Sequence, residues 1–440
     1  MIMKASKAAL PRIVIVGGGA GGLELATKLG RTLGKQQRAE IMLIDCARTH
    51  VWKPLLHEVA AGTLDVNDDE LDYLAQAHAN HFRFNLGRMT GLNRETKRVQ
   101  LAPMIDARGV EIIPARSHHY ELLVIAVGSI CNDFGIPGVA ENCLFLDSTG
   151  QAEQFQTRLL EAYTRAHVQG GVKHPGQLDV AIVGGGATGI ELSAQLHQAT
   201  RLLSAYGLDK VEPSDIRIHL IEASPHLLPG LPERLAAATE EQLRKLGVDL
   251  RLSEKVVEVT PDGVRTAAGH LIPAAIKVWA AGIKAPDFLK STDLETNRIN
   301  QIVVRRTLQT TVDDSVFALG DCCACPWPEK DRNVPPRAQS AHQQASLLVK
   351  NLTRQLAGQP LLDYHYTDYG SLVALGKFST VGNLMGNLLG SVMVEGLMAR
   401  FVYLSLYKMH QLALFGPFRV GMLMIANFFS SRLRPKIKLH

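Results

Sequence analysis

Two stretches of this chain carry glycines at a spacing that can hold a phosphate group. Residues 12–24 read R-I-V-I-V-G-G-G-A-G-G-L-E, and residues 179–191 read D-V-A-I-V-G-G-G-A-T-G-I-E. Each passes from a β-branched run through a glycine turn into a helical pattern. In a G-x-G-x-x-G turn the first glycine permits the tight bend and the second lets a pyrophosphate come against the backbone. The third lets the helix pack closely on the strand. The helix then offers unpaired N–H groups and the positive end of its dipole to the phosphates. The candidates are Gly17, Gly19 and Gly22 in the first copy, and Gly184, Gly186 and Gly189 in the second.

Each turn is followed by a second apolar run that closes on an acid. I-M-L-I-D ends at Asp45, 23 residues past Gly22, and I-H-L-I-E ends at Glu222, 33 residues past Gly189. The turn-rich insert 205–215 accounts for the longer second gap. A carboxylate there accepts hydrogen bonds from a ribose 2′-OH and repels a 2′-phosphate. No Arg directly follows Glu222, which favours NADH over NADPH. One such motif alone reads equally well as a ligand-free turn. Two copies in the same strand–turn–helix–strand–acid context point to two dinucleotides, hence to an oxidoreductase using FAD and NAD(H). Glycine spacing does not say which turn takes which.

The elements that must position these residues are two βαβ units, so the expected fold class is α/β, with two doubly wound (Rossmann-type) dinucleotide-binding domains. Further apolar strands are predicted at Leu122–Val127, Ile276–Ala280 and Val316–Leu319. The first repeat needs residues beyond 300 to complete its sheet. That gives a discontinuous first domain, 10–130 with 300–370, a second domain at 131–299 and a C-terminal region at 371–440. A chain of 440 residues, 46% hydrophobic and 20% charged, is too apolar to be disordered. Six cysteines exclude a disulfide-stapled scaffold. The first ten residues lack the apolar run of a signal peptide, so a cytosolic start is expected.

Residues 371–440 hold eight Lys or Arg against the single acid Glu395, which leaves the rest of the chain close to neutral. The longest uncharged stretch, 378–394, has 17 residues, short of the roughly 20 that a membrane-spanning helix needs. Helical propensity runs from Leu397 to Leu414, with Arg400, Lys408 and Gln411 on one arc, and should stop at Gly416–Pro417. The apolar run 420–429 then precedes the basic run 432–439. Apolar bodies with basic rims fit a C-terminal helical region lying on an anionic membrane surface. A helix packing on a second copy is the alternative, and a homodimer stays open. A nucleic-acid tail would be less apolar and more densely charged, so no nucleic-acid partner is expected.

Several blocks make the chain resemble the flavoproteins with two dinucleotide-binding domains, and among them the type II, non-pumping NADH:quinone oxidoreductases. They are V-W-K-P-L-L-H-E-V-A-A-G (51–62), L-L-V-I-A-V-G-S (122–129), G-G-G-A-T-G-I-E (184–191), W-A-A-G-I-K-A-P (279–286), V-F-A-L-G-D (316–321) and P-P-R-A-Q-S-A-H-Q-Q-A (335–345). The tail 393–416 is similar to that of enterobacterial-type members. The resemblance implies non-covalent FAD on Gly17 to Gly22, with Asp45 at its ribose and Asp321 at its ribityl chain. It adds Lys53, Pro54 and Ala338 as contacts on the flavin and quinone side. NADH would lie on Gly184 to Gly189 with Glu222 at its ribose and Ala281–Gly282 near the nicotinamide.

Glu191 is implied to handle protons near flavin and quinone, although an acid in the first turn of a helix is also favoured by the dipole. Gln339 and Gln343 fit the family's A-Q-x-A-x-Q quinone pattern. At i and i+4 they share a helix face, and His342 reads as a bystander or surface residue. The implied partners are the quinone pool and an anionic lipid surface, on the cytoplasmic face of a bacterial inner membrane. Cys322, Cys323 and Cys325 follow Asp321 without completing a metal pattern, so no metal is expected. Cys46 lacks the partner a disulfide reductase needs, and Cys131 and Cys143 read as packing residues. Two alternatives stay open: a sulfide:quinone oxidoreductase on the same scaffold, and a slow flavin redox sensor or assembly protein. Ubiquinone and menaquinone are not distinguished.

Overall fold

The computed structural model describes residues 10–65, 70–106, 108–374, 380–384, 392–395 and 407–430. The chain forms two compact units. One comprises Met1–His50, Glu70–Ile130 and Lys284–Thr367; the other comprises Val51–Asp69, Cys131–Ile283 and Asp368–His440.

The first unit is built on a five-stranded parallel sheet. Its order is Val316–Ala318, Leu122–Ile125, Arg12–Val16, Glu40–Asp45, Arg83–Leu86. Ile13, Val14 and Ile15 are fully buried, because helices cover both faces of such a sheet and leave no wet side for alternation. The strand order reverses at Arg12–Val16, the topological switch point at which open α/β sheets bind ligands. The glycine turn leaves the carboxyl end of that strand and enters the helix Ala20–Leu29.

The second unit repeats the plan in four parallel strands, ordered Asp249–Arg251, Ile218–Ile221, Val180–Val183, Ile276–Trp279. The helix after its turn is Ala187–Ala205. The α/β class with two doubly wound halves is therefore what the chain adopts. The repeat extends to a feature that glycine spacing does not reveal. Each half inserts a three-stranded antiparallel sheet before its fourth strand, Met89–Asn93 with Arg98–Leu101 and Arg116–His119 in one, Val256–Thr260 with Gly263–Thr266 and Leu271–Pro273 in the other.

The tail departs from a purely helical region. It begins with three antiparallel strands, Gly370–Ala374, Thr380–Leu384 and Val392–Glu395. Of the expected helix Leu397–Leu414, residues 407–415 are helical and 397–406 lie outside the described residues. The stop falls where expected: Gly416 takes a left-handed φ of 78°, which glycine adopts at little cost. Pro417 then opens a further helix, Pro417–Ser430, with its fixed φ suited to the first turn. Lys377, Arg400 and the basic run 432–439 lie outside the described residues. Among the described residues no helix is long and apolar enough to cross a membrane.

Candidate active site

The six motif glycines divide into three pairs by what a Cβ would meet. At Gly17 and Gly184 φ is 105° and 116°, and a Cβ would fall 2.2 Å from the Ala126 carbonyl oxygen or 2.7 Å from the Ala281 nitrogen. At Gly22 and Gly189 it would fall 1.9 and 2.1 Å from the carbonyl oxygens of Gly17 and Gly184. At Gly19 and Gly186 it would meet nothing within 4 Å. The outer glycines are thus demanded by the fold, and the middle ones leave bare backbone open to a ligand at a helix N-terminus. A pyrophosphate fits such a cradle.

The two terminal acids are braced alike. Asp45 accepts from the N–H groups of Gly18 at 2.6 Å and Ala47 at 2.7 Å. Glu222 accepts from Gly185 at 2.6 Å and Ser224 at 2.7 Å. Each carboxylate is thereby held at its own turn with lone pairs left over for ribose hydroxyls. Burial lifts the Asp45 carboxyl above its ordinary range despite these N–H groups. The first turn has a further brace, since both His50 Nδ1 and the Tyr73 hydroxyl reach the Gly18 carbonyl, at 2.9 and 2.8 Å.

Asp321 sits in the short turn Gly320–Cys322 that follows the strand Val316–Ala318. It thus stands at the carboxyl edge of the same sheet as the first glycine turn. Its Oδ2 accepts from the Ser129 hydroxyl at 2.8 Å, and Gln344 Oε1 accepts from the Gly320 N–H at 2.7 Å. Gln344 belongs to the helix Ala338–Leu356, which begins at Ala338 and carries Gln339 and Gln343. The Gln343 amide is engaged at both ends with Thr367, donating to its carbonyl at 2.8 Å and accepting from its N–H at 3.0 Å. One N–H and one lone pair are left over.

His342 is not a bystander. It pairs with the buried carboxylate of Glu24, which Lys28 also contacts at 2.5 Å. Burial alone would raise Glu24, yet His342 and Lys28 hold it below its ordinary range.

In the second unit, Glu191 is the fifth residue of its helix, and no acid lies in the first turn. Dipole capping therefore does not account for it. It is buried, with His57 Nδ1 at 3.4 Å from Oε2. His57 lies in the short helix Leu56–Ala60, and sequence reasoning missed it. Glu24 and Glu191 occupy equivalent places in the two repeats, and each has acquired a histidine partner.

Lys53 and Pro54 open the turn before the short helix, with Lys53 ion-paired to Asp147 at 3.4 Å. Ala281 lies against Gly184. Gly282 needs its φ of 65°, and a Cβ there would meet the Phe134 ring at 2.4 Å. Cys322 and Cys325 are buried thiols whose pKa burial pushes up to about 12, and burial drives Cys323 well above its ordinary value. They pack as protonated side chains. Cys143 is buried too, Cys131 half-buried, and Cys46 exposed and free.

Burial lowers His50 and His57 from 6.5 to about 4. Both fold as neutral rings, so their contribution to stability is full above pH 6.5 and is lost as pH falls toward 4. Unfolding near pH 5 is expected to take up close to two protons from this pair. Denaturation midpoints measured across pH 4–7 should show this slope, and His50→Gln should remove about half of it. A flat profile would mean these rings are protonated in the folded chain.

The pyridine nucleotide-disulphide oxidoreductase family matches residues 11–345. A type II NADH:quinone oxidoreductase of Haemophilus influenzae is 44% identical over 98% of this chain and its own full length. The chain belongs to the type II NADH:quinone oxidoreductases. The fold agrees with that family. NDH2 of Plasmodium falciparum in complex with NADH superposes with a TM-score of 0.79 at 18% identity, covering 97% of this chain and 100% of that one. The sulfide:quinone oxidoreductase of Aquifex aeolicus shares the fold at a TM-score of 0.71 and 19% identity, over 92% of each chain. At that identity the likeness extends to the fold alone. It gives the sulfide alternative no support beyond a common scaffold.

Proposed function

We propose that this chain oxidises NADH and reduces a quinone with two electrons through FAD, without pumping protons. The observation that carries this is the pair of matched dinucleotide cradles, each with a bare middle glycine and a braced acid, in a chain 44% identical to a type II NADH:quinone oxidoreductase. FAD, when bound, supplies the relay between a two-electron hydride donor and the quinone. The protein's part is to bind, orient and manage protons.

Residues 10–130 with 300–370 form the FAD-binding domain in this reading, 131–299 the NADH-binding domain and 371–440 the membrane-associating region. Gly17, Gly19, Gly22, Asp45 and Asp321 hold FAD, with Lys53 and Ala338 as further contacts. Gly184, Gly186, Gly189, Glu222, Ala281 and Gly282 hold NADH. Gln339 and Gln343 face the quinone carbonyls, Gln343 with the capacity left by its bonds to Thr367. Glu191 holds and delivers a proton at the quinone.

Stopped-flow mixing of the flavin-loaded protein with NADH, without oxygen, and then with a short-chain quinone tests the reading. Fast bleaching and fast recovery support it. Bleaching by sulfide but not NADH would replace it with the sulfide reaction, and slow bleaching without recovery would favour the sensor. Glu222→Gln is expected to weaken NADH about tenfold by removing a charge-assisted hydrogen bond. Flavin content should be unchanged; equal NADH affinity in the variant would remove Glu222 from the site.

The chain acts as a peripheral protein on the cytoplasmic face of the bacterial inner membrane in this proposal. Phe418, Ile425 and Phe429 of the helix Pro417–Ser430 are 78%, 62% and 66% exposed, an apolar surface suited to the acyl boundary of an anionic bilayer. Replacing these three by Ser is expected to abolish co-flotation with vesicles containing anionic lipid. If flotation persists and a dimer dissociates instead, the helix serves a second copy.

A further inference from the structure

The contact between His57 and Glu191 continues outward. His57 Nδ1 stands 3.4 Å from Glu191 Oε2, and its Nε2 stands 4.0 Å from Glu58 Oε1. The two inner side chains are buried, at 5% and 9% exposure, while Glu58 is 28% exposed. The imidazole therefore lies between a buried carboxyl and one that reaches water. One turn beyond Glu191 on the same helix, Gln195 donates to the Thr63 hydroxyl at 2.5 Å, which ties the segment carrying His57 and Glu58 to the helix carrying Glu191. A neutral imidazole donates from one nitrogen and accepts at the other, and burial keeps His57 neutral near pH 7.

The overall reaction, NADH + H⁺ + quinone → NAD⁺ + quinol, moves two electrons and one hydrogen nucleus as hydride and takes its remaining proton from water. We propose that Glu58 and His57 are positioning residues that carry this proton from solvent to Glu191. The inference rests on the reading of Glu191 given above. A proton on the Glu58 carboxyl moves to His57 Nε2 after a small swing of the half-buried side chain. The Nδ1 proton passes to Glu191, and Glu191 gives its own to the quinone oxygen. Water then reprotonates Glu58, and the ring turns so that an N–H again faces Glu191 and a bare nitrogen faces Glu58.

The test follows the quinone half-reaction of the holoenzyme by stopped flow, with a pH-indicator dye reporting proton uptake. It compares Glu58→Gln, His57→Gln and Glu191→Gln in H₂O and D₂O. Glu58→Gln and His57→Gln should each slow proton uptake and flavin reoxidation by about 100-fold, the low end for a positioned proton-transfer group, with a larger solvent isotope effect than the parent and partial rescue of Glu58→Gln by imidazole buffer. Glutamine at either position keeps hydrogen-bonding capacity but cannot relay, so a merely structural role would leave uptake and isotope effect unchanged. Glu58→Gln is a half-exposed change and keeps the test open should His57→Gln fail to fold. Wild-type uptake in both variants, with Glu191→Gln slow, overturns the relay and leaves the role of Glu191 standing. Wild-type uptake in Glu191→Gln overturns both.

Discussion

Glu191→Gln is expected to slow quinone reduction by roughly 100- to 10,000-fold, the range set by loss of a positioned proton donor, while reduction of the flavin by NADH proceeds at its normal rate. The substitution preserves size and hydrogen bonding, so packing between the helix Ala187–Ala205 and the segment carrying His57 stays intact. What it removes is a titratable proton in a buried position. The discriminating measurement is the separation of half-reactions by stopped flow. A parallel fall in both rates would mean that Glu191 supports the fold or the nicotinamide site, and equal rates in parent and variant would take it out of the chemistry.

Gly186→Asp is expected to weaken NADH at least about 100-fold, a loss of about 2.7 kcal/mol, with no change in melting temperature. The Cβ enters space that holds no protein atom within 4 Å, so the fold has nothing to yield. The added carboxylate takes the place a pyrophosphate would occupy and repels it. Gly189→Ala, three residues on, is expected to behave in the opposite way. Its Cβ would sit 2.1 Å from the Gly184 carbonyl oxygen, and such overpacking costs about 1–3 kcal/mol. Thermal melting together with NADH titration of both variants separates the two cases. A destabilised Gly186→Asp would show that the cradle is part of the packing rather than open to a ligand.

Much of the scaffold was legible because its chemistry is local. A tight turn, an exposed backbone and a close helix–strand contact each require glycine, and all three fall within six residues. The strands at Leu122, Ile276 and Val316 were legible for a related reason, since a doubly covered sheet writes itself as an apolar run. The inserted antiparallel sheets left a weaker trace: Arg98–Leu101 alternates exposed and buried residues, a period-2 signal available to a closer reading. The polar partners left none. Ser129 meets Asp321 across 192 positions, and His342 meets Glu24 across 318. No spacing encodes such pairs; they arise when folding buries a carboxyl and some donor must answer it. Sequence spacing likewise placed Glu191 in a first turn that the helix beginning at Ala187 does not give it.

The division of labour among the glycines bears on how such a chain can change over generations. Positions Gly17, Gly22, Gly184 and Gly189 are policed by the stability of the molecule itself, so variants there are removed whatever the cell requires. Gly19 and Gly186 are policed only by the ligand. A lineage released from the need for one nucleotide would accumulate side chains at the middle position first, and would keep its architecture long after it had lost its chemistry.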